Sequence, residues 1–117
     1  MDATIVAQLA IKDNFKNNKM TAQEIKKEIN DHLAKNNKQY YSDFYIGITN
    51  DIERRLFGEH NVPRKGHWRI HRVANSESHA RVVEKHFLDE GMKGGTGGGN
   101  ADCVYVYCYE ISDQTVE

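Results

Sequence analysis

The chain has 117 residues and a formal net charge of −1, with 28% charged and 38% hydrophobic residues. One domain of this size buries about two-thirds of its unfolded surface, so any site lies on one core or at a subunit interface. This balance of charge and hydrophobicity excludes the disordered class. No apolar run reaches the roughly 18 residues that a membrane span needs. The N-terminus has no signal-peptide pattern either, so we expect a cytoplasmic protein without membrane contact.

The N-terminal third of the chain predicts helices. Residues 3–17 follow a helical period loosely. Thr21 and Glu24 have the spacing of a capping box, which predicts a helix over about residues 21–36. The apolar stripe of this second helix consists of Ile25, Ile29 and Leu33.

The rest of the chain predicts two strands among helices. The predicted elements are a strand at 40–49, a short helix at 52–60, a polar segment at 61–75, a helix at 76–90 ended by Gly91, a glycine-rich loop at 94–99 and a strand at 103–111. Two strands make a marginal sheet, so we expect a third strand from the N-terminal region or from another subunit. The exposed strand edges lead us to expect a homo-oligomer.

The strand at 40–49 and the short helix after it carry the first candidate site residues. Strand alternation places Tyr45 and Gly47 on the same face of the sheet, where a glycine beside a phenol leaves room for a substrate backbone. Arg55 lies next to the buried edge of the short helix, where its guanidinium can clamp a phosphate with two hydrogen bonds. A packed tyrosine and a solvated arginine are the alternative interpretation.

A carboxylate, Glu84, stands in the middle of an apolar helix face with Ala80, Phe87 and Leu88. Carboxylates are seldom buried without a partner, so Glu84 is a candidate site residue. The alternative is a structural ion pair with an arginine.

These residues, in their order and spacing, resemble the GIY-YIG nuclease family. The segment Phe44-Tyr45-Ile46-Gly47 resembles the YIG half of its motif, and Arg55, Glu84 and Asn100 stand where that family carries its arginine, glutamate and asparagine. The resemblance covers residues 44–107. It implies a small antiparallel sheet flanked by helices, hence an α+β fold in which residues 1–38 form a helical extension, 39–112 the domain and 113–117 a tail.

The resemblance also implies a mechanism. Glu84 would bind a single Mg²⁺ that polarises the phosphate, and Arg55 would bind the phosphate. Tyr45 would lie near the attacking water, and Asn100 would orient the site. The family's GIY strand, and with it the tyrosine that helps activate water, has no match before Tyr45, so we expect weakened cleavage. His60 is a substitute base, since the ordinary pKa of histidine lies in the useful range.

Basic and aromatic residues are interleaved between positions 60 and 76, as on nucleotide-binding surfaces. We expect phosphate or nucleotide contacts from Gly47, Arg55, Arg64, Lys65, Trp68, Arg69 and Arg72. A solvated loop is the alternative.

Two functions follow from these patterns. The first is a Mg²⁺-dependent endonuclease or phosphodiesterase acting on nucleic acid or nucleotides. The second is a module that binds a nucleotide or cyclic nucleotide without cleaving it, as a phage protein that sequesters a defence signal would. The segments GITND, RRLFGEHNV and GGTGGG resemble short phage and bacterial proteins, which supports the fold more than any activity. A plain protein-interaction domain is the third possibility.

Overall fold

The computed structural model describes residues 19–38, 40–95 and 102–117. The helix predicted at 3–17, Asn100 and most of the glycine-rich loop lie outside these residues. In the part of the chain described, helices pack on a four-stranded sheet, which confirms the predicted α+β class. No helix of this part is long and apolar enough to cross a membrane.

The predicted second helix is confirmed as α1, which spans Ala22–Leu33. Its start is the predicted capping box: the Thr21 hydroxyl accepts a hydrogen bond from the Glu24 amide at 3.2 Å, and the Glu24 carboxylate accepts one from the Thr21 amide at 2.9 Å. These two bonds satisfy backbone donors that a helix start otherwise leaves free. The helix buries Ile25 and Ile29 in the main core.

The sheet contains more strands than the sequence predicts. Its strands are β1 Lys19–Met20, β2 Phe44–Thr49, β3 Arg69–Ala74 and β4 Tyr105–Glu110, in the order β1-β3-β4-β2. Strand β1 pairs parallel to β3, and the other two pairs are antiparallel. The two predicted strands are confirmed as β2 and β4, and β1 is the further strand expected from the N-terminal region. Strand β3 is not predicted, because it lies in the segment that reads as a polar loop. Because the sheet has four strands, the exposed edges of a two-stranded sheet no longer support a homo-oligomer. The homo-oligomer stays a prediction.

The helix after β3 also begins and ends where its caps predict. This helix, α2, spans Glu77–Glu90, and the Ser76 hydroxyl accepts a hydrogen bond from the His79 amide. It ends at Gly91, whose φ of 116° is a conformation that glycine adopts without strain. The chain then runs along the edge strand β2, where Lys93 makes backbone hydrogen bonds with Phe44 and Ile46.

The two faces of the sheet bury different kinds of side chain. One face packs against α1 and α2 through an aliphatic core that includes Ile46, Val83 and Phe87. The other face carries an aromatic cluster that we define as Tyr45, His60, Tyr107 and Tyr109, packed beside Leu56 and Val62. Strand alternation separates the two sets and places Tyr107 and Tyr109 of β4 on the face of the aromatic cluster.

Candidate functional site

A pocket of about 260 Å³ opens beside the edge strand β2. Four residues that the sequence singles out line it together: Tyr45, Gly47, Arg55 and Glu84. They come from β2, from the helical turn after it and from α2. The fold therefore brings together four of the residues on which the family resemblance depends, while Asn100 lies outside the described residues.

A π helix at Glu53–Glu59 positions Arg55. The prediction of a short helix here is confirmed, but its hydrogen bonding is wider than that of an α helix: the His60 amide donates to the Arg55 carbonyl, five residues back, at 2.9 Å. Such wide turns recur at functional sites. Here the turn brings the side chains of both Arg55 and His60 to the same phenol, that of Tyr107.

Tyr107 is a site residue that the sequence analysis missed. It lies on β4, the antiparallel partner of β2, directly across from Gly47. Its hydroxyl accepts a hydrogen bond from Arg55 Nε at 3.2 Å and lies 2.8 Å from His60 Nε2. The alternation of tyrosines in the last strand is the signal that points to it. The pairing of that strand with β2 joins residues some 60 positions apart, which no local pattern reveals.

The hydrogen bonds of His60 fix its tautomer. Nδ1 lies 2.6 Å from the Val116 carbonyl oxygen, and a carbonyl only accepts, so Nδ1 carries the hydrogen. In the neutral ring Nε2 then has a lone pair, and the Tyr107 hydroxyl donates to it. Arg55 therefore donates to Tyr107, and Tyr107 donates to His60.

Burial keeps the imidazole of His60 and the phenol of Tyr107 neutral. Burial lowers the pKa of His60, although its hydrogen bond to the Val116 carbonyl raises it in part. Burial also raises the pKa of Tyr107 well above its ordinary value, against the opposing effect of the hydrogen bond from Arg55. Near neutral pH the imidazole and the phenol are therefore both uncharged, and Arg55 carries the charge.

The space beside Gly47 is not open to a substrate backbone, which corrects the interpretation drawn from the sequence. A Cβ at position 47 would lie 2.4 Å from both Cζ and the hydroxyl oxygen of Tyr107. Glycine is needed here because the Tyr107 ring fills the gap. Gly47 therefore serves the site by letting the phenol reach Arg55 and His60.

The predicted burial of Glu84 is confirmed, since this residue is 8% exposed. Burial raises the pKa of its carboxyl, and the nearby Arg81 opposes that shift. The pair is loose: Arg81 Nη1 lies 3.8 Å from Glu84 Oε1, beyond hydrogen-bonding distance, and Arg81 also pairs with Glu77. Glu84 thus lines the pocket with its charge only partly compensated.

For the Mg²⁺ that the resemblance implies, the described residues of the pocket offer one carboxylate ligand, Glu84. The part of the chain described holds no group of three or more histidine, cysteine, aspartate or glutamate side chains arranged to bind a metal. Mg²⁺ does not need such a group, because it commonly binds through one or two carboxylates together with waters and substrate phosphates. A single partly compensated carboxylate in a polar pocket is compatible with that mode of binding.

The remaining predicted residues lie elsewhere. His60 does not line the pocket and contacts it through its hydrogen bond with Tyr107 and through the Tyr45 ring, 4.6 Å away between centroids. The arginines of the basic segment, residues 60–76, bind other groups of the protein. Arg64 pairs with Glu53, and Arg72 pairs with Glu28. Arg69 donates to three backbone carbonyls. Arg64 and Arg69 also lie over the Phe57 ring.

Trp68 and Lys65 belong to the same segment and are also outside the pocket. The Trp68 ring packs against Phe44 and His32 on the aliphatic side of the sheet. Lys65 is exposed. The pocket therefore joins the predicted phosphate ligand Arg55 to Glu84, while the predicted nucleotide contacts of the basic segment stay a separate prediction.

The glycine-rich loop enters the pocket at its first residues. A Cβ on Gly94 would lie 2.6 Å from the Ile46 carbonyl oxygen, so only glycine fits at this close approach to β2. Gly95 follows and lines the pocket near the Tyr45 hydroxyl.

Comparisons with known proteins add no relative: no protein-family model, curated protein or solved structure matches the chain.

Proposed function

We propose that the chain is a phosphodiesterase of the GIY-YIG type, acting on nucleic acid or nucleotides with Mg²⁺. The observation that carries the proposal is the pocket itself, in which a guanidinium, a partly compensated buried carboxylate and two tyrosines meet. Cleaving a phosphodiester needs a cation on the phosphate, a site for the metal and a group that takes a proton from water. The pocket offers one residue for each role.

Arg55 is the phosphate ligand. Its Nε is held by the Tyr107 hydroxyl and one terminal nitrogen by Glu59, an exposed carboxylate four residues further on. Both contacts fix the plane of the guanidinium, which leaves its other N–H groups free to donate to phosphate oxygens. A planar donor that is already oriented loses little entropy when the substrate binds.

Tyr107 and His60 accept the proton of the attacking water. The Tyr107 oxygen has a second lone pair, which can accept a hydrogen bond from water in the pocket. As the water oxygen bonds to phosphorus, its proton passes to Tyr107 while Tyr107 passes its own to His60 Nε2. The bond to the leaving oxygen breaks, that oxygen takes a proton from solvent, and the products are a phosphate monoester and an alcohol.

Tyr107 thereby supplies the phenol that the sequence lacks ahead of Tyr45. It comes from the other end of the chain but stands on the strand that pairs antiparallel with β2. The imidazolium formed on His60 is stabilised by the Val116 carbonyl at Nδ1 and by the nearby charges of Glu59 and Glu117.

Glu84 would hold the Mg²⁺. When bound, the ion supplies Lewis-acid polarisation of the phosphate. Glu84 itself contributes a carboxylate that the fold keeps in the pocket at the cost of partial desolvation.

One observation favours the alternative of a binding module without cleavage. Burial lowers the pKa of His60 and raises that of Tyr107, so the transfer of a proton from the phenol to the imidazole is uphill. A site in which the relay is too costly would still hold a phosphodiester through Arg55.

The experiment that tests the proposal measures cleavage of single-stranded DNA and RNA oligonucleotides with and without Mg²⁺. We expect cleavage by the wild type and its loss in Glu84→Gln. Glu90→Gln is the matched control, because it removes a carboxylate from an exposed position on the same helix, away from the pocket. Binding without cleavage would select the alternative. A protein that neither binds nor cleaves the oligonucleotides would contradict the proposal.

A further inference from the structure

The pocket contains a second guanidinium, that of Arg54, next to Arg55 on the π helix. The carboxylate of Glu59 lies between the two arginines: it pairs with Arg54 Nε at 3.1 Å through one oxygen and with Arg55 through the other. Glu59 is not among the pocket-lining residues, whereas both arginines are. The carboxylate therefore holds the two cations together from outside the pocket.

Arg54 is also fixed from a second side. Its Nη2 donates to Asn50 Oδ1 at 3.0 Å, so Asn50 and Glu59 together hold its guanidinium. A guanidinium has five N–H groups, and these two contacts leave several of them unused. One carboxylate shared by two arginines leaves a net charge of +1 on this group of three side chains, and the Glu84 carboxylate lies on the same pocket.

The two arginines lie at different depths. The side chain of Arg54 is 54% exposed and that of Arg55 is 36% exposed, and only Arg55 reaches the buried Tyr107 hydroxyl. Arg55 thus belongs to the interior of the pocket and Arg54 to its rim. A chain of phosphates that places one group at Arg55 and continues toward solvent passes Arg54.

We propose that Arg54 binds a second phosphate next to the phosphodiester held by Arg55. The ligand class is then a nucleotide chain with at least two neighbouring phosphates, and an isolated phosphodiester fills only half of the site. This inference rests on the proposed function of the pocket and goes beyond it, because a single phosphodiester needs Arg55 alone.

The test compares two ligands that differ by one phosphate: thymidylyl-(3′→5′)-thymidine and the same dinucleotide with a 5′-phosphate. Binding is measured by calorimetry at low salt and without Mg²⁺, so that cleavage does not interfere. We expect the wild type to bind the 5′-phosphorylated dinucleotide about tenfold more tightly, since each neutralised phosphate adds a salt-dependent increment to affinity. We expect Arg54→Gln to remove this preference, because it should weaken the binding of the 5′-phosphorylated dinucleotide more than that of the unphosphorylated one.

Two further variants complete the test. Arg55→Gln should weaken the binding of both ligands, and Lys85→Gln should change neither. Lys85 is the charge-matched control, because it is an exposed cation with one carboxylate partner, Asp89, outside the pocket. Far-UV circular dichroism checks that each variant folds. The salt dependence of binding, measured on the wild type alone, should be steeper for the phosphorylated ligand.

The two proposals fail in different ways. If the wild type binds neither dinucleotide, the proposed function of the pocket is wrong. If it binds both with equal affinity and equal salt dependence, or if Arg54→Gln keeps the tenfold preference, the phosphodiester site stands and the second phosphate site at Arg54 is wrong.

Discussion

The two faces of the sheet are built from different chemistry. The face under α1 and α2 is closed mainly by aliphatic side chains together with Phe44 and Phe87, which pack without needing polar partners. The opposite face buries phenols and an imidazole whose polar atoms bond to one another, to Arg55 and to the Val116 carbonyl. Burial of hydrophobic side chains stabilises the fold without directional contacts. Hydrogen bonds are directional, so they fix each polar group in one orientation.

Because of this difference, we expect substitutions on the two faces to have different effects. Substitutions on the aliphatic face should change stability and leave the chemistry of the pocket unchanged. Substitutions in the aromatic cluster should change the chemistry at a smaller cost in stability. Each prediction below tests one side of this division.

The largest effect on stability is expected on the aliphatic face. Phe87 is fully buried in the aliphatic core, with the rings of Tyr41 and His86 beside it. Phe87→Ala should lower the free energy of unfolding by about 3–5 kcal/mol, the usual cost of truncating a buried phenylalanine. Urea unfolding followed by circular dichroism measures this. A loss below about 1 kcal/mol would mean that this core is not what stabilises the chain.

Gly47→Ala should change stability and chemistry together, through the aromatic cluster. The added methyl would overlap the Tyr107 ring, so the ring or the strand must move, at a cost of about 1–3 kcal/mol. The displaced phenol would also leave Arg55 and His60. We expect loss of phosphodiester cleavage together with the loss of stability. Gly58→Ala is a suitable control, because a Cβ there meets only a carbonyl oxygen at 3.8 Å.

Tyr107→Phe separates chemistry from packing. The ring stays and only the hydroxyl is lost, so we expect a stability change of about 1 kcal/mol. Cleavage should fall by about 100-fold or more, as when a positioned proton-transfer group is removed. The affinity for the uncleaved phosphodiester should fall much less, because Arg55 remains. Unchanged cleavage in this variant would show that the phenol takes no part in proton transfer.

The smallest expected effect is a dependence of stability on pH. Because burial lowers the pKa of His60 in the folded state, the unfolded chain binds its proton more readily. The contribution of His60 is therefore fully present above its ordinary pKa of about 6.5 and is lost as the pH falls through its lowered value. The groups around it are Arg55, Glu59, Tyr45, Tyr107, Tyr109 and Glu117.

The measurement is the free energy of unfolding between pH 7.5 and pH 5 for the wild type and for His60→Gln. The wild type should lose more stability than the variant over this interval. Parallel curves for the two proteins would show that His60 has the same proton affinity in the folded and unfolded chains.

Local signals explain what the sequence predicts correctly. The starts of α1 and α2 are set by Thr21 and Ser76, which bond to amides three residues away, and the end of α2 is set by Gly91. Strand β3 has no such signal, because Arg69 and Arg72 interrupt its apolar pattern on both faces. Their partners are remote: Phe57 lies under one guanidinium, and Glu28 pairs with the other across 44 positions.

The site residues are likewise predictable only where a local pattern marks them. Tyr45, Arg55 and Glu84 follow from spacing and amphipathic pattern, and the pocket brings them together. Tyr107 does not follow, because its role depends on which strand pairs with β2. That pairing is a property of the whole sheet rather than of any segment.

The most direct test of the division between the faces compares two matched arginines. Arg55 and Arg72 are 36% and 38% exposed, and each pairs with one glutamate, but Arg55 lines the pocket and Arg72 packs beside α1. Titration of thymidylyl-(3′→5′)-thymidine, followed by ³¹P NMR without Mg²⁺, should give binding to the wild type and to Arg72→Gln, and loss of binding in Arg55→Gln. Loss in Arg72→Gln with binding kept in Arg55→Gln would contradict this account and place the phosphodiester on the basic segment.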